Sequence, residues 1–156
     1  ATHAIAPRVL EALGAEVVAL NVSPDGTNIN RRCGALHPQL VAKAVRASGL
    51  KDGIACVFAP GSTCAIAANE FEPGLMGTDI PAALERLFPR GIRYGHEERW
   101  RDGNGHSHVR SAFLGQSFTF PFGGGKPLLG TWQQIAFLEL DTRPRTREVI
   151  VQLVGE

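Results

Sequence analysis

Apolar and polar positions along this chain follow two different periods, and the changes of period divide it into elements. In "APRVLEALG", Val9, Leu10 and Leu13 share one face of a 3.6-residue repeat, and Gly14 is a natural helix stop. "EVVALNV" then reads as a short strand and "SPDGTNINRRCGAL" as a long turn-rich loop. "HPQLVAKAVRASG" returns to the helical period. Pro38 suits its first helical position, Gly49 its end, and Leu40, Val41, Ala44 and Val45 its apolar face. Beyond Gly53 strands dominate: "IACVFA", "CAIAANE", "HSHVRSAF", "SFTFPF", "QIAFLEL" and "EVIVQLV". One helix, "TDIPAALERLF", interrupts them, with Asp79 as its N-cap and Ile80, Ala83, Leu84 and Leu87 on its buried face. The class is α+β.

The later strands carry apolar residues on both parities. In "EVIVQLV", Ile150 and Val154 oppose Val149, Val151 and Leu153. A sheet apolar on both faces must bury both, and one helix covers only part of one face. Self-association is therefore expected.

Composition narrows the setting. The 156 residues carry a formal net charge of +1, so no basic field points to nucleic acid or an acidic membrane surface. No apolar run approaches the ~20 residues of a membrane span, and no leader pattern opens the sequence. Cys33, Cys56 and Cys64 form an odd set without a Cys-x-x-Cys, which suggests reduced thiols and a cytoplasmic protein.

Candidate chemistry concentrates in "DGNGHSHVRSAFLG". On a strand, His106 and His108 point to the same face about 7 Å apart, close enough to share a metal ion, and Asn104 continues the parity. His96, ten residues before His106, is near enough to be returned to them by a loop. Three imidazoles suit zinc or a similar divalent ion, and they also suit acid–base work near neutral pH. For a bare His-x-His, a polar strand start is the commoner explanation. "PGSTCAIAANE" offers Ser62 and Thr63 for a phosphate or substrate hydroxyl, Asn69 as a polar contact, and Glu70 as a ligand or proton acceptor. A tight turn followed by a strand end accounts for it equally simply. Cys64 is read as a small buried thiol rather than a nucleophile. "GGGKP" is not a phosphate loop, because Phe120 and Pro127 stand where that motif needs Gly and Ser or Thr. "LGTWQQ" sets Thr131, Trp132 and Gln133 just after a glycine, either as a binding surface or as a tryptophan packed at a sheet end. In "RPRTR", Arg143, Arg145 and Arg147 share a face that can receive an anion or serve as a solvated edge.

These stretches carry a resemblance. From about residue 45 to 156, "GLKDGIACVFAPGSTCAIAANE", "YGHEERWRDGNGHSHVRSAFLGQSFTFPF", "PLLGTWQQIAFLELD" and "REVIVQLVGE" resemble, in order, the YjbQ-like family. That family is associated with a secondary thiamine-phosphate synthase activity. The resemblance implies a β-sandwich with flanking helices, assembled as a homotrimer, with a polar site where the histidine stretch meets the Thr-Trp-Gln stretch. His96, Asn104, His106 and His108 carry the family's histidine motif, Asn69 and Glu70 its "NE", and 130–133 its "GTWQ". Many relatives have aspartate where this chain has His106. The implied reaction joins hydroxymethylpyrimidine diphosphate to a thiazole phosphate and releases pyrophosphate. His96, His108, Glu70 and Gln133 are its candidate catalytic residues. Ser62, Thr63, Asn69, Asn104, Thr131, Trp132 and Arg145 are candidates to hold a small phosphorylated molecule. His96, His106 and His108 would hold a divalent ion, zinc, or magnesium with a diphosphate substrate. The alternatives are a non-enzymatic metal- or ligand-binding oligomer, and a structural fusion without activity.

Residues 1–45 instead resemble a fragment of phosphoglucosamine mutase, a helix–strand–helix piece expected to pack on the main domain of 46–156. Neither the "SHNP" phosphorylation loop nor the "DGDxDR" metal loop of those enzymes is present, so mutase activity is not expected. The chain reads as a natural or engineered fusion. It lacks the two strands that open the YjbQ-like fold, and "EVVALNV" is the segment available to replace them.

Overall fold

A computed structural model describes residues 17–22, 33–35, 38–143 and 145–156, with residues 17–22, 33–35 and 38–40 given as backbone. The expected helix at "APRVLEALG" and most of the loop after it lie outside the described residues. The strands are β1 (Val17–Val22), β2 (Cys33–Ala35), β3 (Gly53–Phe58), β4 (Cys64–Asn69), β5 (Ser117–Gly123), β6 (Lys126–Pro127), β7 (Gln134–Glu139) and β8 (Arg147–Gly155). The helices are α1 (Pro38–Ala47), α2 (Ile80–Leu87), α3 (Gly95–Trp100) and α4 (Gly105–Leu114). A five-residue π turn, Leu75–Asp79, leads into α2. The coarse α+β expectation holds: antiparallel sheets with helices against them.

One sheet has the order β1-β8-β3-β5-β6 and the other β2-β7-β4. Strand β1 pairs with β8, Val18 opposite Val151. Strand β2 pairs with β7, Gly34 opposite Phe137. Residues 33–35, expected in a loop, therefore form a strand, and two strands precede α1.

Period-two patterning decides which residues enter the core. Ala55 and Val57 of β3, and Val149, Val151 and Leu153 of β8, are fully buried. They meet Cys64 and Ile66 of β4, Ile135 and Phe137 of β7, and Val41, Ala44 and Val45 of α1 in one cluster. The apolar face read for α1 is thus observed wherever its side chains are described, and Gly49 ends the helix at φ +74°, where a side chain is strained. The other face of the three-stranded sheet is covered as well. Ala65, Ala136 and Leu138 pack there with Met76 and Leu84 beneath α2. The five-stranded sheet is covered on its inner face, while Ile54, Phe58 and Val154 on its outer face are 51%, 40% and 57% exposed.

Three sequence expectations are corrected here. The segment after Gly53 holds three helices among the described residues, not one. Asp79 makes no side-chain cap to α2, because the preceding π turn already holds it in helical conformation. Leu87 is 69% exposed rather than buried, and Leu84 makes the contact instead.

A fourth correction matters most: "HSHVRSAF" is helix α4, not a strand. Its buried positions are His106, Ser107, Arg110 and Ser111. That spacing is helical, but the buried groups are polar, so apolar periodicity could not reveal it. Each finds a fixed partner. Ser107 Oγ donates to Leu140 O at 2.5 Å and Ser111 Oγ to Cys64 O at 2.6 Å. Arg110 donates to Phe88 O and to Glu85 Oε2, at 2.6 and 2.7 Å, and so secures the end of α2. The two small serines let the helix lie close against the Cys64 end of the three-stranded sheet.

Candidate functional site

On a helix, His106 and His108 are two positions apart and diverge. His106 is buried, with its ring centroid 6.2 Å from that of Tyr94. His108 turns toward α3, where its ring lies 4.4 Å from that of His96, centroid to centroid. The one-strand arrangement expected for the pair is therefore replaced by two helices brought together at their starts.

The short helix α3 carries His96 beside Glu97, and the turn after it carries Asp102. Their ligand-type atoms lie within 4.8 Å of one another, the described group able to hold a metal ion. His96 Nδ1 stands 3.4 Å from Asp102 Oδ1 and 3.9 Å from Glu97 Oε1. That nitrogen is buried and makes no hydrogen bond. A buried imidazole nitrogen aimed at two carboxylates, without hydrogen-bond geometry to either, fits a shared divalent cation. Zinc matches such a mixed nitrogen and oxygen set.

Glu97 also builds the loop. Its Oε2 accepts the Gly103 amide and its Oε1 the Gly105 amide, both at 2.7 Å. These two hydrogen bonds, Gly105's the larger in effect, hold its carboxyl below the usual range. The loop needs its glycines: Gly103 has φ +72°, and a Cβ on Gly105 would lie 2.6 Å from Tyr94 Cβ. Neither Glu97 nor Asp102 was among the residues singled out in the sequence. The signal available was the His-Glu pair itself and the aspartate opening "DGNG".

Asn104 is buried between two carboxylates. In one orientation its Nδ2 reaches Asp141 Oδ1 at 3.4 Å. Turned over, it donates to Asp102 Oδ1 at 3.0 Å and Oδ2 at 3.3 Å, and the shorter contacts favour this second orientation. Asn104 thus lies between the histidine cluster and a buried ionic network and donates to the Asp102 side. There Arg147 makes a bidentate pair with Glu139, at 2.8 and 2.7 Å. Arg147 also donates to Thr63 Oγ1 at 2.8 Å, and that hydroxyl donates to Asp141 Oδ2 at 3.3 Å. Arg145 donates to the same Asp141 oxygen at 2.8 Å.

This network revises several expectations. Thr63 and Arg145 face Asp141 rather than an open ligand site, and Arg147, read as part of a possible solvated edge, is mostly buried. Burial pushes the Asp141 carboxyl up, but Arg145 and the Thr142 amide outweigh it and hold it below the usual range. The Cys64 thiol is pushed up by burial, against a smaller opposing effect of Arg147, in keeping with an inert thiol. Ser62 is exposed, on the turn before β4.

The remaining candidates lie elsewhere. Asn69, Glu70, Gly130, Thr131, Trp132 and Gln133 line an open concavity of about 450 Å³. A tight turn shapes it: Gln133 N donates to Gly130 O at 2.9 Å, and Gly130 N donates to Gln133 Oε1 at 3.1 Å. Trp132, at its tip, is 71% exposed. Asn69 pairs with Gln134 at one end of the β4–β7 ladder, whereas Cys64, under α4, pairs with Glu139 at the other. Five strand steps separate these ends, roughly 17 Å. Within one chain the histidine stretch and the Thr-Trp-Gln stretch therefore do not meet.

A family profile described as "UPF0047 protein YjbQ-like" matches residues 30–156. The chain belongs to the YjbQ-like UPF0047 family. A UPF0047 protein of Archaeoglobus fulgidus is 44% identical over 102 residues, 65% of this chain and 78% of the relative. One from Methanocaldococcus jannaschii is 37% identical over 130 residues, 83% of this chain and 90% of the relative. Among solved structures of the UPF0047 type, a YbjQ-like protein of unknown function from Sulfolobus solfataricus P2 superimposes with a TM-score of 0.82 at 34% identity. That match covers 91% of this chain and 98% of the other. A second similarity sets this YjbQ-like chain apart. A stretch of 55 residues, 35% of the chain, is 54% identical to phosphoglucosamine mutase of Symbiobacterium thermophilum and covers 12% of that enzyme.

Proposed function

We propose that the chain binds one divalent metal ion, zinc by its donor set, and uses that site on a small phosphorylated molecule in the manner of a thiamine-phosphate synthase. The observation that carries the reading is the convergence of His96, Glu97 and Asp102 beside His108. A divalent ion held by His96, Glu97 and Asp102 would supply positive charge toward a departing diphosphate. Glu97 fixes the loop, and Asn104 orients Asp102 from the buried side. His108, half-buried at the mouth, is placed to exchange a proton with a bound ligand. In the proposed reaction a carbon–nitrogen bond to the thiazole forms as the carbon–oxygen bond to diphosphate breaks. The site His96, His106 and His108 expected from the sequence becomes His96, Glu97 and Asp102, with His108 adjacent. A cytoplasmic location belongs to the same proposal.

A second reading is a metal- or ligand-binding oligomer without turnover. Its support is the separation of the Trp132 concavity from the histidine cluster within one chain. Two measurements divide them. Dialysed protein should retain about one zinc per chain, lost in His96→Ala. Pyrophosphate release from the two thiamine precursors should exceed that of a His108→Ala control. Zinc without release favours the second reading, and a protein that neither retains zinc nor releases pyrophosphate overturns both.

A further inference from the structure

Strand β6 ends after two residues, at Pro127, whose ring carries no N–H to extend a ladder. From there the chain crosses from the five-stranded sheet to β7 of the three-stranded one. On the crossing, Leu128 is 58% exposed while Leu129 packs against the core. Helix α1 lies against β6 over the same crossing. These pieces do not close on one another. Between them is a recess of about 190 Å³, lined by Val41 and Ala42 of α1, by Pro127 and Leu129, and by Gln134 and Ile135 of β7.

The walls share one chemistry. Val41 and Ile135 are almost fully buried and form the inner surface. No charged side chain lines the recess, and its polar groups are the carboxamides of Gln134 and of Gln133 at the turn before β7. Gln133 is engaged, because its Oε1 accepts the Gly130 amide at 3.1 Å. The Gln134 carboxamide makes no hydrogen bond among the described residues. Well-packed interiors keep few voids larger than a water molecule, and a residue larger than Ala42 would fill this one. An apolar cavity of about 150 Å³ is enough to take benzene. Pockets for drug-sized ligands run from roughly 300 to 1,000 Å³, so the recess matches a single ring with a short substituent.

We infer that this recess binds a compact neutral molecule, an apolar ring or branched chain carrying one carboxamide or hydroxyl head that pairs with Gln134. The Gln134 carboxamide offers both a donor and an acceptor, so a head of either type finds its complement. A charged head would be buried without a counter-charge, which excludes ionic ligands of the same shape. The site is distinct from the His96, Glu97 and Asp102 cluster and needs neither metal nor turnover. It adjoins the Trp132 concavity through Gln133, which lines both.

The full chain, with isotope-labelled valine, leucine and isoleucine methyl groups, is titrated with benzamide, and separately with benzoate, which has the same shape and an anionic head. Benzamide should bind saturably, with ligand-to-protein NOEs to the methyl groups of Val41, Leu129 and Ile135. Benzoate should bind at least about 10-fold more weakly. Ala42→Phe places a ring in the recess and should abolish those NOEs, with a thermal melt showing that the variant is folded. Gln134→Leu should weaken benzamide about 10-fold while leaving toluene unchanged, which a purely apolar hole would not do. Absence of saturable benzamide binding overturns the inference, as do NOEs confined to other methyl groups or equal affinity for benzoate. A folded Ala42→Phe that keeps the NOEs overturns it too. If Ala42→Phe does not fold, the wild-type NOEs and the Gln134→Leu comparison decide.

Discussion

Replacing Arg147 with methionine tests the buried network most directly. The Arg147 side chain is 14% exposed and its partner Glu139 5%, while Asp141, 3.7 Å from the same guanidinium, is 2% exposed. Methionine matches much of the stem but removes the charge, which leaves Glu139 buried without a counter-ion. Breaking such a pair from one side costs about 3–5 kcal/mol. For a chain of this length that lowers the melting temperature by roughly 6–20 °C. The measurement is thermal and urea unfolding at fixed protein concentration, since any assembly would shift the midpoint. The pH dependence supplies a sign. In the wild type, Asp141 has a lowered pKa, so its contribution is present above the unfolded aspartate value of about 3.9 and is lost as pH falls through the folded value. In Arg147→Met, Asp141 loses a cation 3.7 Å away, and protonating it relieves part of the cost of its burial. The gap between the two proteins should therefore narrow as pH falls from 7 toward 4. The double variant Arg147→Met/Glu139→Leu should regain most of the loss, because it removes both charges. A loss below about 1 kcal/mol at pH 7 would refute the reasoning. A gap that does not change with pH would refute it too.

Other expectations follow from single contacts. Gly105→Ala should destabilise the protein by about 1–3 kcal/mol through overpacking, since the new methyl would meet Tyr94 Cβ, a loss read from the urea midpoint. The same change should weaken zinc binding in titration calorimetry about 10-fold or more, because the loop carrying Asp102 must shift. Leu84→Ala should cost about 2–5 kcal/mol, while Leu87→Ala, three residues on and 69% exposed, should stay within about 0.5 kcal/mol. Equal effects would contradict the observed orientation of α2. Ser111→Ala removes the hydroxyl that donates to Cys64 O and should cost about 1 kcal/mol in the same assay.

Elements with apolar faces were legible in the sequence, and elements with polar faces were not. Strands β3, β4, β5, β7 and β8 and helix α1 bury valine, isoleucine, phenylalanine and alanine at their regular periods, and each was readable. Helix α4 buries two serines, a histidine and an arginine, so its inward face carries no apolar signal. Read without that signal, His106 and His108 fell on a strand with a shared face. Helix α3 has six residues and buries none of them fully, so no apolar period marks it. The candidate site suffered accordingly. Its histidines were found because imidazole is rare and chemically conspicuous. Glu97 and Asp102 do not stand out in sequence, because acidic residues at a turn are ordinary and become significant only when folding aims them at His96. Thr63 and Arg147 lie 84 positions apart, and nothing local joins them.

That long separation has a kinetic side. The polar ties join distant parts of the chain: Thr63 with Arg147, Ser107 with Leu140 across 33 positions, and Ser111 with Cys64 across 47. Contacts of this span require large loops to close, so they form late, after the sheets have docked. Interactions absent from the folding transition state slow unfolding without hastening folding. The network is thus a latch on a finished structure rather than part of its nucleus. In a stopped-flow chevron, Arg147→Met should steepen the loss of the native state through a faster unfolding limb, with the refolding limb nearly superimposed on that of the wild type. The lifetime of the folded chain would then respond to a few buried charges that its folding rate does not register.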